Sequence, residues 1–443
     1  MAEWAKLVVL FMTRNAEAMR IATKPIISWA MVDWANSAFA TTVMAGFFPV
    51  FFKSYWSAGA DVTASTFQLG LANSVAGAAI MVLAPVLGAI ADRGGARKKF
   101  LMFFTVMGAA LTGGLYFVEK GQWEMAAFLY AAASIGFAGN NIFYDALVTA
   151  VAPKGKLDVV SALGYALGYL GGGLLFALNV AMSLWPQTFG LADAAQAVRV
   201  SFVMVAVWWT VFSVPAMLFV EEPRAAQRLA LAQMISGGWR QLADTFRHIR
   251  RLRALWLFLV AYWCYIDAVD TIIRMAVDYG MSLGFDSKNL IAALLITQFV
   301  GFPAALLFGK LGERFSAKTG VFIAIAVYLG ITFWAMAMDK VIEFYALAAV
   351  IGLVQGGIQS LSRSLYASMI PPDKSGEFFG FYNMLGRFAT VLGPVSMGVL
   401  GVLTGSPRLS LLAVAALLMS GAALLYFVDV AEGRRSAHVP DQA

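Results

Sequence analysis

Cysteine is nearly absent. Cys264 stands alone among 443 residues, which excludes an intramolecular disulfide framework and a cysteine-based zinc site. Histidine is almost as scarce, and His248 and His438 both fall in polar stretches, so a histidine metal cluster within a membrane is excluded too. Charged residues make up 13% of the chain, where a soluble domain carries about 25%. Set beside a hydrophobic content of 60%, that scarcity excludes a soluble enzyme, a disordered chain and a fibrous one. No Gly-x-x-x-x-Gly-Lys-[Ser/Thr] run is present, so ATP hydrolysis has no support.

What the chain does have is apolar material for roughly a dozen bilayer crossings of about 20 residues each. The spacing of apolar stretches predicts twelve helices, near 26–52, 66–91, 100–118, 124–151, 159–184, 198–220, 254–280, 289–312, 318–338, 342–370, 377–403 and 408–429. The longest polar interruption, 221–253, follows the sixth and has the composition of a basic surface helix. The expected organisation is an N-terminal segment 1–24, a six-helix bundle 25–220, a cytoplasmic linker 221–253, a second bundle 254–430 and a cytoplasmic tail 431–443. Leu7 to Met12 is a six-residue apolar run followed by Thr13-Arg14-Asn15, short of the 7–15 residues of a secretory core. Residues 1–24 therefore read as an interfacial or cytoplasmic segment, or equally as a loosely ordered extension.

The net charge of +7 raises the question of nucleic acid, and its placement answers it. Odd-numbered connections hold six Lys and Arg, whereas even-numbered ones hold seventeen, and both terminal segments add more. Cytoplasmic loops keep the basic excess. Both termini and the linker are thus expected in the cytoplasm, and no nucleic-acid partner is expected.

The halves can be superposed in sequence. Gly88-Ala-Ile-Ala-Asp92-Arg93 follows the second span, and Gly309-Lys-Leu-Gly-Glu313-Arg314 follows the eighth, 221 positions later. Asn141 to Asp145 ends span four, and Gln359 to Arg363 ends span ten, at an offset of 218. Duplicated six-helix halves with a site between them near the midplane are a transporter architecture. In the loop motif, glycine permits close helix approach, and Asp92 can accept from N–H groups at a neighbouring helix start or pair with a cation. Gly88, Asp92, Arg93 and Arg97, with Gly309, Glu313 and Arg314, are therefore expected to form a cytoplasmic gate between the halves.

Gly88-x-Ile-Ala-Asp92-Arg93-x-Gly95-x-Arg97-Lys98 closely resembles the loop signature of the major facilitator superfamily, with Ala96 where a basic residue is common. Asp33-Trp34-Ala-Asn36-Ser37-Ala-Phe39, Phe48-Pro49, Phe143-Tyr144-Asp145 and Ser375-Gly-Glu377-Phe-Phe-Gly380 are similar to the vacuole-effluxer-like family. Asp145 and Asp270 stand where many of its members carry an amide. The resemblance implies an all-α integral membrane protein of twelve helices in two six-helix repeats, akin to autophagy-related vacuolar amino-acid effluxers. It further implies a bacterial member in the inner membrane.

An ionised group at a helix centre costs about 2.5–3.5 kcal/mol on insertion scales, so each is a functional candidate. Asp267, Asp270, Arg274 and Asp278 share a face of span seven at spacings of 3, 4 and 4. Asp33 and Asn36 match Asp267 and Asp270 at an offset of 234. Asn141 and Asp145 lie one turn apart, and Gln355, Gln359 and Arg363 form a stripe. Asp145 and Arg363 are repeat-equivalent and could pair across the halves. Together Asp33, Asn36, Asn141, Asp145, Asp267, Asp270, Arg274, Gln355, Gln359 and Arg363 are the expected substrate or proton site. Asp33 or Asp267 is expected to take up a proton, because burial disfavours the charged form; a permanently paired structural acid is the alternative. Arg274 or Arg363 suits a carboxylate or phosphate of the solute, or else balances internal charge. Arg387 has no local partner.

The function expected is secondary active transport of a small polar solute by alternating access, coupled to protons or another ion. Amino acids come first by resemblance, and the glycine-rich fifth helix, though without their Gly-Pro step, resembles those of exporters in the superfamily, which implies efflux. The alternative is a transporter-derived receptor or scaffold that moves nothing. No cofactor, metal or enzymatic activity is expected, and the chain is expected to be a monomer among membrane lipids.

Overall fold

The computed structural model describes residues 23–59, 96–222 and 252–437, with 68, 71, 76–80, 83–84, 86–89, 92, 246–247 and 249–250 between them. Residues 1–22, Arg93, nearly all of the central linker and the end of the tail lie outside the described residues, as do the side chains of Arg274, Asp278 and Arg387.

Among the described residues every element is a helix. The first half comprises α1 (Lys24–Trp56), α2 (described at 76–80 and 86–89), α3 (Arg97–Phe117), α4 (Trp123–Val151), α5 (Leu157–Leu184) and α6 (Ala194–Phe219). The second comprises α7 (Arg253–Ser282), α8 (Ser287–Arg314), α9 (Ala317–Ala337), α10 (Val341–Ala367), α11 (Ser375–Thr404) and α12 (Pro407–Tyr426). A short α13 (Val430–Ser436) follows, inside the stretch expected to be only a tail. Ten of these helices are long and apolar enough to cross a membrane. Large side chains such as Phe117, Leu307 and Leu403 face outward, which suits a lipid solvent.

Helix starts follow from capping chemistry. The Asp193 carboxylate accepts from the Gln196 N–H at α6, and Ser316 accepts from the Thr319 N–H at α9. Gly405 ends α11 with φ of +64°, a backbone conformation that costs a glycine little. Residues Phe39–Phe47 of α1 form a π-helix, in which the Phe48 N–H reaches back five residues to the Val43 carbonyl. Pro49 offers no N–H to the preceding turn and crowds it, so the turns before it widen.

Among the described residues, the halves meet most extensively where α5 packs on α8 and α10 and where α4 packs on α11. The glycines of α5 serve close packing. Gly168, Gly171 and Gly172 lie against Ser37, Trp34 and Thr41 of α1, and Gly173 faces Gln298 of α8. Side chains there would force the helices apart.

Candidate functional site

Between the halves lies a cavity of about 270 Å³. From the first half, α1 contributes Asp33, Asn36, Ser37 and Thr41, α4 contributes Asn141, Tyr144 and Asp145, and α5 contributes Tyr165 and Tyr169. From the second, α10 contributes Gln355, Gln359 and Arg363, joined by Tyr262, Gln298, Tyr382 and Asn383. Seven of the ten residues expected at the site therefore line one cavity: Asp33, Asn36, Asn141, Asp145, Gln355, Gln359 and Arg363. Their helical spacing explains this, because steps of three and four keep polar groups on one face.

Several of these polar groups have defined partners. The Asn36 amide donates to the Asn140 and Asn141 side-chain oxygens at 2.9 and 2.8 Å, and Asn140 donates to Thr105 at 2.7 Å. This chain ties α1, α3 and α4 together. Asp33 receives the Tyr144 hydroxyl at 3.2 Å and the Ser37 hydroxyl at 3.3 Å. Trp29 stacks on Tyr144 with centroids 4.5 Å apart and donates its indole N–H to the Tyr144 carbonyl at 2.8 Å.

Arg363 is held from several sides. It donates to Asp145 at 3.0 Å, to the Ser161 hydroxyl at 2.9 Å and to the Ser161 carbonyl at 2.8 Å. Its guanidinium lies 4.4, 5.0 and 5.1 Å from the rings of Tyr165, Tyr144 and Trp29. Asn383 of α11 donates to the other Asp145 oxygen at 3.1 Å. The Asp145–Arg363 pair thus bridges the halves, and most of the guanidinium's donors are occupied within the protein in this conformation. That favours charge balance over a ligand role for Arg363 here.

Asp267 is buried away from this cavity. Both its oxygens accept from the Gly393 N–H of α11, at 3.0 and 3.1 Å, and Thr271 approaches at 3.5 Å. Its partner is thus a backbone group on another helix. Neither Asp267 nor Asp270 is among the described residues lining the cavity.

The end of the bundle that carries the basic connections is closed. Asp92 accepts from the N–H groups of Gly376 and Glu377 at 3.1 and 2.8 Å, at the start of α11. Arg97 donates to Asp92 at 2.6 Å and to the Asp373 carbonyl at 3.0 Å. Burial pushes the Asp92 carboxyl above its ordinary range, with Arg97 and the α11 N–H groups pulling it back. Gly88 lies directly against the Gly376 carbonyl, leaving no room for a side chain. Gly309 of α8 abuts Ala162 of α5, and Lys156 pairs with Glu313 across the halves. Arg314, by contrast, is exposed beside Phe315. So Gly88, Asp92, Arg97, Gly309 and Glu313 meet the opposite half, Arg314 makes no ion pair to a described residue, and Arg93 is not described.

A second cavity of about 210 Å³ adjoins the first and shares Ala40, Thr41, Gln298 and Gln355 with it. Its other walls are largely apolar, including Ile272, Leu294, Ile331 and Phe344.

Tyr165, Tyr169, Ser161 and Asn383 were not singled out by sequence reasoning. A signal for the tyrosines exists: Tyr165 and Tyr169 repeat one turn apart, each next to a glycine of the α5 run. Asn383 carries no such sign, since its role depends on where α11 crosses α4.

The sequence matches the family described as "Vacuole effluxer Atg22 like" over residues 55–152 and 149–438. It is 37% identical over 412 residues to the uncharacterised MFS-type transporter YxiO of Bacillus subtilis strain 168, covering 93% of this chain and 96% of that one. Autophagy-related protein 22 of Saccharomyces cerevisiae is 27% identical, over 77% of this chain and 73% of its own length. Among solved structures, the human organic anion transporter MFSD10 superposes with a TM-score of 0.68 at 16% identity, over 91% of this chain and 99% of that one.

Proposed function

The chain belongs to the vacuole effluxer Atg22-like family of the major facilitator superfamily, and from that premise we propose that it moves a small polar solute by alternating access, driven by proton flow. It is an integral membrane transporter. The solute we assign is an amino acid or related metabolite, and the direction is export. The family's description as a vacuole effluxer supports the direction, and a polar cavity beside an apolar one suits a zwitterion with a side chain.

The observation that carries the reading is the inter-half cavity, sealed at its basic end by contacts that each join one half to the other. Rocking the halves would break those contacts and open the cavity to that side. The basic end faces the cytoplasm of a bacterial inner membrane, with both termini on that side and the monomer as the working unit. Asp33 is the proton-carrying group: it faces the cavity, and its hydrogen-bond donors among the described residues are two hydroxyls rather than a cation.

Proteoliposomes loaded with single amino acids test this. Solute counterflow together with acidification-driven flux is expected for the native protein. For Asp33→Asn, counterflow is expected to persist while proton flux is lost. Proton flux unchanged in Asp33→Asn rejects that carrier, and absence of counterflow with every amino acid rejects the substrate class.

A further inference from the structure

Two carboxylates and one guanidinium share the cavity. Asp145 holds Arg363 directly, whereas Asp33 reaches the same neighbourhood only through the Tyr144 hydroxyl. That hydroxyl is placed between them. A Cβ built on Gly164 would collide with Tyr144 Oη and lie 3.1 Å from Arg363 Nη2 and from Trp29. The glycine therefore makes the room in which phenol and guanidinium sit side by side. The tyrosine ring is locked by its stack on Trp29, so its hydroxyl has little freedom but rotation about the C–O bond.

We propose that Tyr144 is a positioning residue through which the protonation of Asp33 controls the Asp145–Arg363 latch. This rests on the proton-coupled reading above. While Asp33 is ionised, Tyr144 donates its proton to Asp33, and its oxygen lone pairs face the guanidinium. Arg363 is then attracted by two acids at once, and its hold on Asp145 is weakened by the competition. When a proton binds Asp33, the new O–H donates to the Tyr144 oxygen, and the phenol proton must turn away from Asp33. With its own proton turned away from Asp33 and one lone pair taken by the new O–H, the Tyr144 oxygen is a poorer acceptor for Arg363, Asp33 no longer attracts the cation, and Arg363 is left to Asp145. Opening of the basic end, which requires Asp145 and Arg363 to part, is therefore opposed by protonated Asp33 and eased by ionised Asp33.

The charged and titratable groups facing Asp33 are Tyr144 and Asp145 from α4, Tyr165 and Tyr169 from α5, and Arg363 from α10, with Tyr262 and Tyr382 across the cavity. From α6, which also packs on α1, the neighbour is Trp208, whose indole donates to the Trp34 carbonyl. Among these, Tyr144 is the one that donates to Asp33.

The test labels the basic end of each half, at Lys154→Cys and Lys310→Cys in a Cys264→Ser background, and measures the interspin distance distribution in nanodiscs between pH 5 and pH 8. The parent is expected to gain open population severalfold as pH rises. Tyr144→Phe keeps the ring and its stack but removes the hydroxyl, and its open population is expected to change less than twofold over the same range. Gly164→Ala, which presses on the hydroxyl without removing it, is expected to shift the midpoint of the transition. A pH-sensitive parent matched by Tyr144→Phe overturns the role of Tyr144 and leaves the proton reading standing. A parent that does not respond to pH overturns the proton reading itself.

Discussion

Asp33 and Asp267 occupy matching places in the two halves, 234 positions apart, yet they have different neighbours. Asp33 opens on the cavity and is held by two side-chain hydroxyls. Asp267 is spent on the Gly393 N–H, next to Pro394 within α11. A glycine there is required, since a Cβ would collide with the Thr271 hydroxyl and lie 2.9 Å from Asp267. Duplication copied the acid, but its role is set by what packs against it. Asp33 is bound by hydroxyls at the edge of the inter-half cavity, whereas Asp267 is bound by a backbone amide inside the second half.

The difference can be broken most forcefully through Arg363. Arg363→Met leaves Asp145 buried without its cation, and loss of one partner of a buried pair costs about 3–5 kcal/mol. The melting temperature in detergent should fall accordingly, and Asp145→Asn combined with Arg363→Met should recover much of it. Asp267→Leu comes next. It leaves the Gly393 N–H without an acceptor, for about 1–3 kcal/mol, while Asp267→Asn retains a carbonyl and most of the stability. Equal losses from Leu and Asn would show that the carboxylate does more than receive that N–H. Asp33→Asn keeps a carbonyl for the Tyr144 and Ser37 hydroxyls and should lower the melting temperature less than Asp267→Leu, while abolishing pH-dependent flux.

The smallest effect lies outside both acids. Asp429 accepts from the Glu432 and Ala431 N–H groups at the start of α13, which hold its carboxyl below the ordinary range. Its contribution is fully present above the ordinary Asp value and fades as pH falls through the depressed one. The protection factors of residues 430–436 against hydrogen exchange should therefore fall only in strong acid, and Asp429→Ala should lower them at neutral pH.

Much of this was legible in the sequence, for reasons that differ by residue. The helix positions follow from long apolar runs bounded by charge, and among the described residues they agree to within a few residues, the bounds of the span at 66–91 lying outside the described residues. The Asp145–Arg363 pair was visible because the internal offset of 218 placed an acid opposite a base. Asp92 at a helix start followed from what a carboxylate can accept. Contacts that depend on crossing geometry were not visible. The partner of Asp267 is a main-chain group, which leaves no trace in residue type. Asn383 and Ser161 gain their roles from where α11 and α5 cross the cavity wall, and periodicity along one helix carries no information about its neighbour.

The π-helical stretch of α1 has a consequence for what that helix presents to each side. Every wide turn absorbs an additional residue, so the angular register of side chains slips along the helix. Before the stretch, Asp33, Asn36 and Ser37 look toward the gap between the halves. Beyond it, Phe48, Phe52 and Trp56 are directed into an aromatic cluster of their own half, where Phe48 stacks on Tyr130 at 3.9 Å. A regular helix of the same sequence would carry its polar stripe past the aromatics out of phase with both tasks. The slip lets a single rod line the inter-half cavity along one length and serve as an anchor in its own half along the next.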